Sequence, residues 1–109
     1  MKTVILKGKE YPIMFDLNVI EQIQKRYEDI SKLAEKIVDP LETRWLLCII
    51  INEAIAFNNF RYGTNNNVLT EREIGMLVGM SELQSVSNAQ SIIDAFVECV
   101  YDGKKSIAE

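Results

Sequence analysis

The sequence of 109 residues contains no histidine and only two cysteines. The absence of histidine removes the side chain most often used as a general base and as a metal ligand. Two cysteines without histidine cannot supply the four ligands of a structural zinc site. Cys48 and Cys99 each lie in an apolar helical pattern, where cysteine more often serves as a small buried hydrophobe than as a disulfide or a reactive thiol. The composition therefore predicts a protein without a metal or another cofactor.

Catalytic motifs are also missing. The five glycines are scattered and form no phosphate-binding loop, since Gly75 and Gly79 lie inside or at the end of a predicted helix and not before one. Glu71 and Glu73 are two residues apart, which places them on different sides of a helix, and helix capping accounts for both. The sequence thus predicts a non-catalytic binding or assembly protein, while an enzyme that uses single Asp, Glu, Lys or Tyr side chains is left open.

Long apolar runs and an excess of positive charge are absent as well. The longest apolar run, residues 45–51, is far shorter than the roughly 20 residues that span a membrane, and the N-terminal apolar run is too short for a signal peptide. Twelve Lys and Arg against 16 Asp and Glu give a net charge of −4, whereas affinity for nucleic acid rests on cations. We therefore expect a cytoplasmic protein that binds neither membrane nor nucleic acid.

What the sequence does contain is a single domain, residues 1–109, of the mainly α (α+β) class. A length of 109 residues with 48% apolar content suits one hydrophobic core. Alternating apolar residues predict an N-terminal β-hairpin over residues 2–16, packed on a bundle of four to five helices. Apolar residues at helical spacing, preceded by capping residues, place the helices at about 17–38, 40–57, 70–79 and 82–102.

The predicted hairpin turns at Gly8 and Lys9, because glycine at the first central position suits a type II′ turn. This register pairs Leu6 with Tyr11. It places five apolar residues on one face, namely Val4, Leu6, Tyr11, Ile13 and Phe15. Pro12 cannot donate to a ladder and must face an open edge. We expect that edge to be covered either by self-association, which makes a homo-oligomer possible, or by strand addition to a partner.

The predicted helix over residues 40–57 is apolar on nearly every side, with Asp39 as its cap and Pro40 at its first position. A helix of this kind normally lies at the centre of a protein, so we expect the other elements to pack around it. The helix over residues 17–38 carries an amphipathic stripe with a bend near residues 29–31. The last helix is expected to end at Gly103.

Residues 58–68 form the only long polar stretch and are predicted to be a loop. Candidate partner-binding residues are apolar side chains near this loop and the following short helix that the helical stripes do not require, namely Phe57, Phe60, Tyr62, Met76 and Met80. Methionine suits a binding surface because its flexible thioether adapts to many facing side chains. The alternative is that these five residues complete the core.

Residues 69–81 look like the start of a helix-turn-helix, with Gly75 and Gly79 at the expected spacing. The motif also requires an apolar residue at position 85, which is Ser85 here. The apolar residue Val86 comes one position too late. Residues 73–103 contain five acidic residues and no Lys or Arg, so phosphates would repel a recognition helix there. A small DNA-binding regulator is therefore one alternative, and an unrelated protein-binding adaptor is another.

Segments near both ends of the chain carry a resemblance to a known family. Residues 4–11 (VILKGKEY) and 15–18 (FDLN), followed by a helix with Glu21 and Ile23, resemble the tail assembly chaperones of long-tailed phages of Gram-positive bacteria. Residues 69–75 (LTEREIG) and the closing amphipathic helix are similar too, so the resemblance covers most of the chain in order.

The resemblance implies a non-catalytic chaperone that works in the host cytoplasm and is absent from the mature virion. Chaperones of this family bind the long, helical tape measure protein, keep it soluble and help the tail tube protein to polymerise around it. An amphipathic helix of the tape measure protein would then bind an apolar strip on the chaperone. The acidic closing segment would favour basic segments of such a partner.

Overall fold

The structure of the protein, a computed structural model, describes residues 1–36 and 39–108, with the side chains of all of these except residues 30, 34 and 101–108. Two strands, β1 (Thr3–Leu6) and β2 (Lys9–Pro12), form an antiparallel hairpin. The helical elements that follow are α1 (Leu17–Tyr27), a 3-10 turn (Ile30–Lys32), α2 (Leu33–Lys36), α3 (Pro40–Tyr62), α4 (Glu71–Leu77), α5 (Met80–Leu83) and α6 (Val86–Ala108). The structure is 68% helical, so the predicted mainly α fold with an N-terminal hairpin is confirmed.

The hairpin turns one residue earlier than predicted. Lys7 and Gly8 form the turn with φ angles of 51° and 78°, and two positive φ angles are typical of a type I′ turn. The predicted type II′ turn was therefore wrong, and Leu6 pairs with Lys9 in place of Tyr11. Because this register differs from the predicted one by two residues, an even number, the same side chains stay on the buried face. Of the five predicted residues, four are buried and Tyr11 is half-buried.

The outer edge of β1 is closed by α6. The Asn88 side chain accepts a hydrogen bond from the Ile5 N–H at 2.8 Å and donates one to the Ile5 carbonyl at 2.9 Å. On β2, Pro12 lies opposite Thr3. The next residue, Ile13, donates its N–H to the Lys2 carbonyl at 2.9 Å, so the pair of Pro12 and Thr3 is a non-hydrogen-bonded pair, in which proline does not have to donate. A contact within the chain thus covers the β1 edge at Ile5, whereas the expected self-association or strand addition concerns the edge that Pro12 faces on β2 and stays a prediction.

The predicted helix over residues 17–38 is interrupted. α1 ends where Glu28 adopts a left-handed conformation with φ 66°. The Asp29 side chain then accepts a hydrogen bond at 2.9 Å from the backbone N–H two residues further on, which favours a tight turn over a continued helix. The predicted continuation through Ile37 and Val38 lies outside the described residues.

α3 is the central helix, as predicted. The Asp39 side chain caps it by accepting a hydrogen bond from the Leu41 N–H at 2.9 Å, with Pro40 in the first turn. Its buried residues form the core together with the hairpin and α1, and they are Leu46, Leu47, Cys48, Ile50, Ile51 and Ala54.

α3 is longer than the predicted 40–57. It ends at Tyr62, because Gly63 (φ 68°) supplies the left-handed residue that terminates a helix. Five residues of the predicted loop over 58–68 are therefore helical, and the irregular segment begins only at Gly63.

The predicted helix over residues 82–102 is two elements, the single turn α5 and the long helix α6. α6 begins at Val86, after Ser85, whose hydroxyl accepts a hydrogen bond from the Asn88 N–H at 3.1 Å and so caps the helix. It continues through Gly103, the predicted end, to Ala108. A glycine inside a helix costs only about 1 kcal/mol relative to alanine, which does not by itself terminate the helix.

Candidate functional site

An open groove of about 730 Å³ runs along α6, and we call it the α6 groove. α6 provides one wall through Asn88, Ala89, Ile92, Ile93 and Phe96. The 3-10 turn, α2 and the start of α3 provide the opposite wall through Ser31, Leu33, Pro40 and Thr43. The buried residues Leu6, Phe15 and Leu47 also line it, and Glu82, Leu83 and Ser85 lie where α5 meets α6. The lining is therefore mostly apolar.

Three contacts hold α6 beside the hairpin. Asn88, a buried polar residue, bonds to both polar groups of the Ile5 backbone. The ring of Phe96 meets the ring of Phe15 edge-on, with centroids 5.4 Å apart and planes at 77°. Further along the helix, Lys2 Nζ lies 3.5 Å from a Glu98 carboxylate oxygen. These contacts fix α6 on one side and leave its neighbouring side open.

The open side of α6 is apolar beyond the groove. Val86, Ile93, Val97 and Val100 are all exposed, and their spacing of seven, four and three residues places them on one helical face. Ile93, with 54% of its surface exposed, belongs both to this face and to the groove wall. A contiguous apolar surface of this kind is a candidate site of interaction.

Glu82 is the only charged side chain among the described lining residues. Its carboxylate accepts a hydrogen bond from the Gly79 N–H at 2.7 Å and lies 3.7 Å from Lys7 Nζ. The backbone hydrogen bond from Gly79 is the main reason that the pKa of Glu82 lies below its usual range. Since this charge already has partners, the groove is chemically suited to bind apolar side chains.

Four of the five predicted partner-binding residues are exposed, and none of the five is among the described residues of the α6 groove. Phe60, with 87% of its surface exposed, and Tyr62 lie at the end of α3, while Met76 and Met80 lie on α4 and α5. Phe57 is half-buried. The alternative that all five complete the core was wrong, because four of them lie on the surface. Their role in binding a partner stays a prediction.

Asparagine side chains of α3 hold the irregular Asn-rich segment that begins at Gly63. Each of these side-chain amides accepts a hydrogen bond from a backbone N–H and donates one to the carbonyl of the same residue. Asn59 accepts a hydrogen bond from the Asn66 N–H and donates one to the Asn66 carbonyl, both at 3.0 Å. Asn52 bonds to the Leu69 backbone in the same way, at 2.8 and 2.6 Å. Asn88 uses the same geometry on β1. The segment that carries the polar residues is thus braced at two points, next to the exposed Phe60.

The groove residues Ala89, Ile93 and Phe96 were not predicted as a site, because the last helix was predicted only as an amphipathic helix with an apolar stripe. A signal was present in the width of that stripe. In the sequence Ile92-Ile93 and Phe96-Val97, adjacent apolar pairs recur at a spacing of four residues, so α6 carries more apolar surface than one packing face requires.

The chain matches no protein-family model, no curated protein and no solved structure. Across residues 1–36 and 39–108, no helix is long and apolar enough to cross a membrane. The chemistry of the α6 groove is therefore the main guide to function.

Proposed function

We propose that the protein is a non-catalytic tail assembly chaperone that binds an amphipathic helix of a tape measure protein in the α6 groove. The observation that carries the proposal is the groove itself, an open and mostly apolar channel beside a helix with an unpartnered apolar face. Grooves of this kind accept helices that present apolar side chains at positions i, i+3, i+4 and i+7. The resemblance of the sequence to tail assembly chaperones supplies the identity of the partner.

The length of the groove suits a short helical segment. From the capping residue Ser85 to Phe96 on α6, the lining covers roughly 17 Å at 1.5 Å per residue, or about three helical turns. Three turns provide three or four apolar anchors on one face. A long client with a repeated apolar stripe offers many such segments, and covering them one by one keeps the client from aggregating.

The DNA-binding alternative receives no support from the position of α6. A recognition helix exposes its first turns to base edges in the major groove. Here Asn88, in the first turn of α6, is buried against the Ile5 backbone. Charge argues in the same direction, because residues 73–103 contain carboxylates and no cation. In line with the family resemblance, we also propose action in the host cytoplasm and assistance to polymerisation of the tail tube protein.

Co-expression with a tape measure protein tests the proposal. We expect the tape measure protein to be soluble and to co-elute with the wild-type chain in size exclusion. Ile93→Ser removes an exposed apolar side chain from the groove and is expected to abolish the complex. Leu17→Ser removes an even more exposed apolar side chain from α1 and is expected to preserve it.

A third variant, Phe60→Ser, separates the α6 groove from the predicted aromatic surface at the end of α3. The proposal predicts that this variant binds as the wild type does. Equal solubility of the tape measure protein with and without this chain, and no complex, would refute the chaperone function. A complex that survives Ile93→Ser but not Phe60→Ser would refute the groove as its site.

A further inference from the structure

The α6 wall of the groove offers two holes for the side chains of a partner helix. Where two helices pack closely, a side chain of one inserts between four residues of the other. On a helix, these four are neighbours at positions i, i+3, i+4 and i+7. The lining residues of α6 and its cap contain two complete sets of this kind, and they are Ser85, Asn88, Ala89, Ile92, Ile93 and Phe96.

The first hole is lined mainly by short side chains. It is formed by Ser85, Asn88, Ala89 and Ile92. Ala89 is exposed and its side chain ends at the β-carbon. The Ser85 hydroxyl accepts a hydrogen bond from the Asn88 N–H, and the Asn88 side chain bonds to the Ile5 backbone. Since these polar groups already have partners, the hole suits a large apolar side chain.

The second hole is lined by larger side chains. It shares Ala89 and Ile92 with the first hole, and its other two residues are Ile93 and Phe96. The Phe96 ring packs edge-on against Phe15, with centroids 5.4 Å apart, and it cannot turn away from the hole without losing this contact. Because helix interfaces pack closely, the second hole suits a short apolar side chain.

We propose that the α6 groove selects a partner helix that carries one large and one small apolar side chain at adjacent anchor positions. The two holes lie four residues apart along α6, or about 6 Å, which matches the distance between side chains three or four residues apart on the partner. A Leu side chain enters the first hole and an Ala side chain enters the second. This inference rests on the proposed binding of an amphipathic helix and specifies which helical segments bind.

Charge favours a separate partner over a second copy of this chain. Residues 73–103, which include most of α6, contain five carboxylates and no Lys or Arg. Two copies that meet through α6 therefore bring these acidic segments together without cations from the same region, which disfavours association. A separate helix with Lys or Arg on its polar side meets the acidic segment with the opposite charge.

Two synthetic amphipathic helices test the proposal by fluorescence anisotropy with the full chain. Both are about 18 residues long, since shorter helices are marginal in water, and both carry Lys on their polar side. The Leu/Ala peptide has Leu at one central anchor position and Ala at the next, and the Leu/Leu peptide has Leu at both. Apolar area alone favours the Leu/Leu peptide. We expect the Leu/Ala peptide to bind about fivefold more tightly, because a second Leu overpacks the second hole.

Ile93→Ala enlarges the second hole and provides the matched exchange. In this variant we expect the order of the two peptides to reverse, since Leu fills the space that the Ile93 side chain leaves and Ala does not. The control Leu17→Ala truncates an exposed side chain of α1 and is expected to leave the order unchanged. Tighter binding of the Leu/Leu peptide to the wild-type chain, or the same order in Ile93→Ala, would overturn this inference.

Ala89→Leu fills both holes at once, and circular dichroism verifies that the variant folds. We expect it to weaken both peptides about tenfold. Gln90→Leu adds the same side chain at an exposed position of α6 that does not line the groove, and it is expected to change neither affinity.

Three further outcomes separate the possible failures. Equal affinity of the wild-type chain for the two peptides, together with the expected loss in Ala89→Leu, would overturn the size selection while leaving groove binding intact. A wild-type dimer in sedimentation that Ala89→Leu converts to a monomer would show that a second copy occupies the groove, and it would overturn the choice of a separate partner. Binding of neither peptide to the wild-type chain would instead refute the proposed function.

Discussion

α3 and α6 are each 23 residues long and rich in apolar side chains, yet they lie in different surroundings. α3 is buried on several sides by the hairpin, α1 and α4, and its residues Ile50 and Ile51 have no exposed surface. α6 packs on the hairpin with one face and leaves Ile93, Val97 and Val100 exposed. Both helices contribute to the core, but α6 also carries an apolar face that no described part of the chain covers. The unpartnered face is where binding energy is available.

The largest effect is expected from placing a charge on each helix in turn. Ile51→Asp buries an unpaired carboxylate at a cost of several kcal/mol, which is comparable to the total stability of about 5–15 kcal/mol of a domain. We expect this variant to fail to fold. Ile93→Asp places the same group on an exposed position of α6, where a substitution usually changes the free energy of unfolding by no more than about 0.5 kcal/mol.

Thermal unfolding followed by circular dichroism checks this pair of variants. The account predicts a cooperative transition near that of the wild type for Ile93→Asp and none for Ile51→Asp. Similar unfolding curves of the two variants would contradict the conclusion that α3 is buried and that Ile93 of α6 is exposed.

A smaller effect is expected from removing the asparagine that ties α6 to β1. Asn88→Ala leaves the Ile5 N–H and carbonyl without partners in a partly buried position, which costs about 2–3 kcal/mol. Asn59→Ala removes two hydrogen bonds of the same geometry and a third from the Thr64 hydroxyl, all at an exposed site, where water replaces them, so the expected cost is below about 1 kcal/mol. Urea unfolding measures both values. An equal loss in the two variants would show that Asn88 is no special attachment of α6.

The smallest effect is expected in the pH dependence of stability, through the hydrogen bonds that join α3 to α1. Arg26 Nε and the Tyr27 hydroxyl both donate to one Glu42 oxygen, at 2.8 and 2.7 Å. These bonds, that from Arg26 first, hold the pKa of Glu42 below its ordinary value of 4.5. The unfolded chain therefore binds this proton more readily, and the stabilisation is present above pH 4.5 and is lost as the pH falls through the lowered pKa.

Glu42→Gln is expected to lower the free energy of unfolding at pH 7 and to flatten its dependence on pH below 4.5. Glu35→Gln on α2 removes an exposed carboxylate that forms no ion pair with the described residues, and it serves as the control. An unchanged acid dependence in Glu42→Gln would show that this cluster does not contribute to stability.

The elements predicted correctly are those whose cause lies in neighbouring residues. Thr70 and Glu73 cap each other at 2.9 and 3.1 Å, as their spacing predicts. The central position of α3 follows from its apolar character on every side. The hairpin face was correct although the register was not, since the alternation of side chains survives an even shift.

The features that were not predicted depend on residues distant in sequence. Asn88 and Ile5 are 83 residues apart, and no local pattern relates an asparagine on a helix to the edge of a strand. The extension of α3 through Asn58 and Asn59 was missed because asparagine is typical of loops. The α6 groove was missed because its walls come from α6 and α2, which are distant in sequence. Sequence patterns show which side chains are apolar, and only the tertiary packing shows which of them remain uncovered.

Methyl NMR of the chain, labelled at isoleucine and methionine, tests the central claim most directly. On addition of a soluble segment of the tape measure protein, the account predicts a shift of the Ile93 methyl resonance, because Ile93 lines the α6 groove. The Ile51 resonance, from the buried centre of α3, is expected to stay in place. Shifts of Met76 and Met80 with an unchanged Ile93 would contradict the account, because the client would then bind outside the groove.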